Sequence, residues 1–172
     1  MKIIDSFIDW LGVQKRYSPR TLVLYRSAVD EFYAHIFPEG EIEAGEETSV
    51  LTPLNIRGFI AGGLESGLSA RTMNLKLAAL SSYCSYLMKQ GVIPSNPVKK
   101  VFRPKEDKKL PEFYTEKAMG NYFESLTEER QEQEGEEPFP VLRNRTMLLL
   151  LYAAGIRRAE LCNLKITDFD PE

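Results

Sequence analysis

Apolar residues recur every three or four positions in two long stretches of the chain, and this spacing restricts the fold more than any other feature. In the first stretch the apolar positions are Leu22, Tyr25, Val29, Phe32 and Ile36. In the second stretch they are Met73, Leu77, Leu80, Cys84 and Leu87. Such spacing places each set on one face of an α-helix, and that face must be buried against other elements. The sequence therefore predicts a mainly α fold.

Signals for helix starts and stops divide residues 1–92 into four helices. After a short amphipathic helix, the later starts are marked by Ser18-Pro19, Thr52-Pro53 and Ser69. Serine and threonine cap helix N-termini, and proline is favoured in the first turn. The ends and interruptions are marked by Gly12, Gly62, Gly63, Gly67 and Gly91. We expect the third helix to break down around its glycines, and residues 37–49 to form a loop.

Residues 93–111 combine prolines with basic side chains. Because proline keeps a segment out of helices, we predict an extended basic linker between a domain at residues 1–92 and a second region at residues 112–172. The whole chain has a net charge of −3, but residues 71–109 hold nine basic and two acidic residues, a net charge of +7. A nucleic-acid surface needs only such a local positive field. The alternative is an ordinary solvated surface.

The second region is also predicted to be mostly helical. Thr115 caps a fifth helix, whose apolar face carries Met119, Tyr122, Phe123 and Leu126. Residues 127–138 are expected to form an acidic loop, and residues 142–154 an apolar helix. Residues 166–170 alternate between apolar and polar side chains, a pattern that indicates the start of a β-strand.

A compact motif follows the apolar helix. Gly155 is a helix C-cap signal, so Arg157 falls on a tight connection between two helices. A guanidinium held there can bind a phosphate through two parallel hydrogen bonds, and Glu160, one turn further on, can hold the guanidinium in place. The alternative is an i,i+3 surface pair worth a few tenths of a kcal/mol.

This motif resembles the first arginine box of the tyrosine recombinases, the family of Xer-type recombinases and phage-type integrases. The matching positions are Leu151, Tyr152, Gly155, Arg157, Glu160, Leu161 and Leu164. Ala154 and Ala159 depart from the usual pattern. Weaker resemblances to the same family lie at residues 18–21 and 69–83, in the proline-containing segment, and at residues 114–116. The Glu-rich stretch before Pro138 looks like an insertion.

The resemblance implies a four-helix, SAM-like core-binding domain followed by a truncated, mostly helical start of the catalytic domain. In this family the two domains clamp duplex DNA, and the parent assembles as a tetramer on two DNA sites. The residues that we expect to contact DNA are Arg20, Arg71, Thr72, Asn74, Lys76, Lys99, Lys100, Arg103 and Lys105. The fourth helix suits such contact because its basic and polar residues lie away from its apolar stripe.

The resemblance also implies the chemistry of the parent. A tyrosine attacks the scissile phosphate and forms a 3′-phosphotyrosyl bond, with no metal or other cofactor, because arginines, a lysine and histidine-type groups neutralise the phosphate. Arg157 would be the first of those arginines and Glu160 its support. The second arginine box, the lysine and the nucleophilic tyrosine are expected beyond residue 172, so we expect the chain not to cleave DNA by itself.

Two other functions remain open on sequence grounds: a non-catalytic helical DNA-binding regulator and a helical protein-interaction module. His35 is the only histidine, which argues against a His-based metal site or a Ser-His-Asp triad. The longest apolar run, residues 147–154, is too short to span a membrane. Cys84 and Cys162 are expected to be small buried hydrophobes in a reducing cytoplasm.

Overall fold

The computed structural model describes residues 2–40, 46–107, 110, 112–131 and 138–169. Over these residues the chain forms eight α-helices, two short 3-10 helices and no β-strand, which confirms the mainly α fold. The α-helices are α1 (Lys2–Val13), α2 (Pro19–Ile36), α3 (Glu46–Ser49), α4 (Pro53–Glu65), α5 (Ala70–Lys89), α6 (Glu116–Gln131), α7 (Phe139–Ala154) and α8 (Arg158–Cys162). The chain divides into two compact units, Met1–Lys109 and Leu110–Glu172. None of the helices described is long and apolar enough to cross a membrane.

Three helices of the first unit begin where the sequence predicts, and for the predicted reason. The Thr21 N–H donates to Ser18 Oγ at 3.3 Å, and the Thr72 N–H donates to Ser69 Oγ at 3.1 Å. In α4 the Asn55 N–H donates in the same way to the Thr52 hydroxyl. Each cap satisfies a backbone donor that has no partner within the helix, which contributes about 1 kcal/mol.

The core of the first unit lies where α1, α2 and α4 pack around α5. All five apolar residues of the predicted α5 stripe are buried, and Val29 and Phe32 of the α2 stripe are fully buried. The other three α2 positions, Leu22, Tyr25 and Ile36, are half-buried against the same core. Each large side chain buried in this way stabilises the fold by about 1.5–3 kcal/mol relative to its exposed state.

Helix α4 does not break at Gly62 or Gly63, so the prediction is wrong at these two positions, although the helix does end just before Gly67. It runs through Gly62 and Gly63 to Glu65. A Cβ atom built on Gly62 would lie 3.1 Å from His35 Cε1, and one built on Gly63 would lie 2.4 Å from Met73 Sδ. The glycines therefore allow α4 to approach α2 and α5 closely, and this packing offsets their low helix propensity of about 1 kcal/mol each.

Residues 93–107 are not a uniformly extended linker. Pro97–Lys100 forms a 3-10 helix that packs on α5 and α4, with Pro97 and Val98 buried. Proline is acceptable there because it occupies the first position of the helix, where its missing N–H costs nothing. Residues 37–49 also differ from the predicted loop, since Glu46–Ser49 forms α3. Residues 41–45 lie outside the described part.

The second unit confirms the Thr115 cap, because the Ala118 N–H donates to Thr115 Oγ1 at 3.2 Å. The rings of Phe123 and Tyr152 lie 5.3 Å apart and connect α6 to α7. Helix α6 runs to Gln131, so the first part of the predicted acidic loop is helical. The rest of that loop, residues 132–137, lies outside the described residues.

Two further predictions for the second unit are wrong. Ile166–Asp168 forms a 3-10 helix rather than a strand, because the Asp168 carboxylate accepts the Lys165 N–H at 2.9 Å and closes a turn. An isolated strand has no such local hydrogen bonds. Cys162 is exposed, and it is the neighbouring Leu161 that is buried.

Candidate functional site

The backbone around Gly155 directs the chain from α7 into α8. Helix α7 ends at Ala154, and Gly155 adopts the left-handed conformation, with φ 61° and ψ 21°. Arg157 is extended, with φ −72° and ψ 151°, and is the N-cap residue of α8. The predicted tight connection between two helices is therefore present, and it holds the Arg157 backbone in a defined position.

Glu160 binds Arg157 in two ways. Its Oε2 accepts the Arg157 backbone N–H and its Oε1 accepts Nη1 of the guanidinium, both at 2.8 Å. These two hydrogen bonds hold the pKa of the Glu160 carboxyl below its ordinary value, and the bond from the Arg157 backbone has the larger effect. The Arg157 side chain is 85% exposed. A planar guanidinium that is oriented at one end and open to solvent can bind a phosphate oxygen.

The first unit carries two of the predicted DNA-contacting arginines in equivalent local settings. Arg20 and Arg71 are both the second residue of a helix, both follow a serine N-cap, and both are exposed. The Thr72 hydroxyl lies 2.9 Å from the hydroxyl of its cap, Ser69, so it takes part in the cap.

Four more predicted residues lie on the segment that follows α5. Lys99, Lys100, Arg103 and Lys105 are all exposed. We call residues 97–106 the basic arm. It is pinned at its start, where Asn96 Nδ2 donates to the Ser81 carbonyl at 2.9 Å. Its far end returns to the first turns of α5, so the arm lies along this helix.

The side chains of Asn74 and Lys76 form polar contacts with other residues of the first unit. Asn74 Nδ2 donates to the Pro104 carbonyl at 2.9 Å and to Glu106 Oε1 at 2.7 Å. The Lys76 ammonium pairs with Glu31 of α2, and its side chain is only 13% exposed. The sequence placed Lys76 away from the apolar stripe, among the residues expected to contact DNA. In the structure, α2 covers most of its side chain.

The Glu31 carboxyl is the partner that the sequence did not indicate. Partial burial would raise its pKa, but hydrogen bonds from Lys76 and Ser27, together with the charge of Lys76, hold the pKa below its ordinary value. Asn96, 6% exposed, was also missed as a structural residue. Its side-chain oxygen accepts the Val98 N–H, and an Asn-Pro pair is a turn signal that points to such a role.

The described residues contain no group of three or more His, Cys, Asp or Glu side chains that could hold a metal ion. Among the described residues, the candidate sites are the arginine box of the second unit and a set of exposed cations in the first unit, which we call the cationic surface. Its members are Arg20, Arg71, Lys99, Lys100, Arg103 and Lys105.

Known proteins resemble this chain over most of its length. The tyrosine recombinase XerC of Bacillus licheniformis is 34% identical over 167 residues, which are 97% of this chain and 51% of that protein. The XerC protein of Bacillus subtilis is 33% identical with the same coverage. A tyrosine recombinase of Thermosipho africanus is 32% identical over 97% of this chain and 54% of its own length.

The chain thus spans about half the length of these relatives. The sequence pattern of the phage integrase N-terminal SAM-like domain matches residues 4–91, just over half of the chain and the part that forms α1 to α5. Together these matches show that the chain belongs to the tyrosine recombinase and phage integrase family, with a SAM-like domain at its N-terminus.

Proposed function

We propose that this chain is the DNA-binding N-terminal portion of a site-specific tyrosine recombinase. The single observation that carries the proposal is the position of six cationic side chains in the first unit. All six are exposed, and none of them belongs to the two ion pairs that link its described helices, Arg26–Asp5 and Lys76–Glu31. The six are Arg20, Arg71, Lys99, Lys100, Arg103 and Lys105. Exposed guanidinium and ammonium groups on a rigid helical unit can bind the phosphates of duplex DNA.

The second unit would supply part of the catalytic machinery of the parent protein. Arg157 would neutralise charge on the scissile phosphate, and Glu160 would keep its guanidinium oriented. The parent would work in the cytoplasm as a tetramer on two DNA sites, through a 3′-phosphotyrosyl intermediate. This chemistry would need no metal ion. Residues 1–92, 93–111 and 112–172 would be its core-binding domain, its linker and the first part of its catalytic domain.

A polypeptide of these 172 residues would not cleave DNA by itself. Its one histidine, His35, is exposed on α2 and packs against Gly62 and Phe59 of α4, with the His35 and Phe59 rings 5.7 Å apart. The histidine-type group of a second arginine box would have to come from elsewhere. A supercoiled plasmid carrying the native site should therefore yield no covalent phosphotyrosyl adduct, and detection of an adduct would contradict this part of the proposal.

DNA binding is tested by the salt dependence of affinity for a short mixed-sequence duplex, measured by fluorescence anisotropy. We expect a steep loss of affinity between ~50 and ~200 mM salt, since phosphate contacts release counterions. Arg71→Gln and Arg103→Gln should each lower the slope of log K against log[salt] by about one.

A matched control is Lys15→Gln. Lys15 lies over the Trp10 ring, with its Nζ 5.4 Å from the ring centroid, and it is outside the cationic surface. We expect this change to leave the slope unaltered. An affinity that does not depend on salt, or no binding at all, would instead favour a helical protein-interaction module.

A further inference from the structure

Two asparagines fasten the basic arm to α5 at both of its ends. At the start, Asn96 Nδ2 reaches the Ser81 carbonyl at 2.9 Å and the Ser85 hydroxyl at 3.2 Å. At the end, Asn74 Nδ2 reaches the Pro104 carbonyl and the Glu106 carboxylate. Residues 96 to 104 therefore run back along α5, from its C-terminal half to its first turns.

Between these two points the arm is also held by its own turn and by the core. The Val101 N–H donates to the Val98 carbonyl at 3.2 Å, Val98 is buried, and Val101 packs against the core of the first unit. The arm's four cationic side chains point outward from this anchored backbone, and all four are exposed. The cations are thus displayed from an ordered segment rather than from a random coil.

We propose that Asn74 and Asn96 are positioning residues that order the basic arm before DNA arrives. This inference rests on the proposed function, because it assigns to the arm a preorganised role in DNA binding. If the arm were loose in the free protein, binding would have to restrain it, and the lost conformational freedom would weaken the affinity. Asn74 would then act through the arm, and not through a contact of its own with a base or a phosphate.

The decisive variant is Asn74→Ala. Asn74 is only partly buried, so its loss should leave the unit folded, whereas Asn96 is almost fully buried and a change there affects the core as well. We expect Asn74→Ala to speed amide hydrogen exchange of residues 99–107 in the free full-length chain. Its affinity for a short mixed-sequence duplex should fall by roughly five- to tenfold, the scale of one or two lost hydrogen bonds.

Calorimetry separates positioning from direct contact. If binding has to order the arm, the heat-capacity change of binding becomes more negative and the entropy less favourable than for the unaltered chain. A lost direct contact would instead leave the exchange of the free arm unchanged and make the heat-capacity change no more negative.

Asn55→Ala is the matched control. Asn55 Nδ2 also fixes a loop carbonyl in the first unit, that of Val50 at 2.8 Å, but it does not hold the arm. We expect this variant to bind the duplex like the unaltered chain. Glu106→Gln keeps a side-chain oxygen for Asn74 and removes a negative charge from the arm, so it should keep the arm protected and bind DNA more tightly.

The inference is overturned if Asn74→Ala leaves the exchange of residues 99–107 unchanged. It is also overturned if the arm becomes loose while the affinity stays the same. Either result, obtained while the unaltered chain binds the duplex, leaves the proposed function intact. Failure of the unaltered chain to bind any duplex overturns the proposed function and this inference with it.

Discussion

Lys76 of α5 and Glu31 of α2 form an ion pair between two helices that each carry an exposed arginine at their second position. The ammonium is nearly enclosed, whereas the carboxylate is about half exposed and also accepts the Ser27 hydroxyl at 2.8 Å. The pair therefore ties the two helices together at a point between the core and the solvent. Lys76 therefore differs from the other basic residues that the sequence analysis expects to contact DNA, because its charge is already paired within the protein.

Lys76→Met should reduce stability and leave the electrostatics of DNA binding unchanged. The methionine keeps the apolar stem but leaves Glu31 without its partner, which should cost about 1 kcal/mol of unfolding free energy, between the values for exposed and buried pairs. Urea unfolding measures this cost. In the same preparation, the slope of log K against log[salt] for a DNA duplex should equal that of the unaltered chain.

The comparison variant is Arg26→Gln, which breaks the more exposed pair between Arg26 and Asp5. It should change the unfolding free energy by no more than about 0.5 kcal/mol. A salt slope that falls by about one unit in Lys76→Met would mean that the ammonium leaves Glu31 and contacts a phosphate.

Acid should remove the contribution of Glu31 to stability. Because the folded protein holds the pKa of Glu31 below its ordinary value, this contribution is fully present above the unfolded pKa of about 4.3. It is lost as the pH falls through the lower folded pKa. The unfolding free energies of the unaltered chain and of Glu31→Gln should therefore differ at pH 6 and converge as the pH falls through the folded pKa of Glu31. A difference that does not change with pH would contradict the assignment.

Two glycines of α4 should respond in opposite directions to alanine. A Cβ on Gly63 would collide with Met73, whose side chain is fully buried, so Gly63→Ala should destabilise the first unit by about 1–3 kcal/mol. A Cβ on Gly58 would lie 3.7 Å from His35 Nε2, an ordinary contact, so Gly58→Ala should stabilise by about 0.5–1 kcal/mol through helix propensity. Thermal unfolding of both variants provides the measurement, and equal shifts would show that α4 has room at Gly63.

The two cysteines should differ sharply in reactivity. Burial raises the pKa of the Cys84 thiol to about 12, whereas Cys162 is exposed. Since the thiolate is the reactive form, a maleimide reagent at neutral pH should label Cys162 quickly and leave Cys84 unlabelled until the chain unfolds. Mass spectrometry of labelled peptides locates the modification. The variant Cys162→Ser should take up no label while folded, and rapid labelling of that variant would contradict the burial of Cys84.

Local patterns predicted those features whose physical cause lies within a few residues. The serine and threonine caps, the stripe of α5 and the left-handed Gly155 each depend on groups one or two turns apart along the chain. The contact between Arg157 and Glu160 belongs to the same class, because residues three apart on a helix are neighbours. Its geometry was predicted from the motif, while its role at a phosphate remains a proposal.

The tertiary structure alone decided which polar side chains are free and which are already bound. From the sequence, Lys76 and Arg103 are both basic residues expected to contact DNA. Glu31 lies 45 positions before Lys76, however, and pairs with it only because α2 packs on α5. The course of the basic arm has the same origin, since Asn74 binds Pro104 and Glu106 across 30 and 32 positions. Helix α4 likewise continues through Gly62 and Gly63 because side chains of α2 and α5 fill the space next to these glycines. The sequence by itself determined the long amphipathic helices α2 and α5, the serine and threonine caps and the arginine box, whose causes are local. Packing between distant segments determined which of the cations remain exposed.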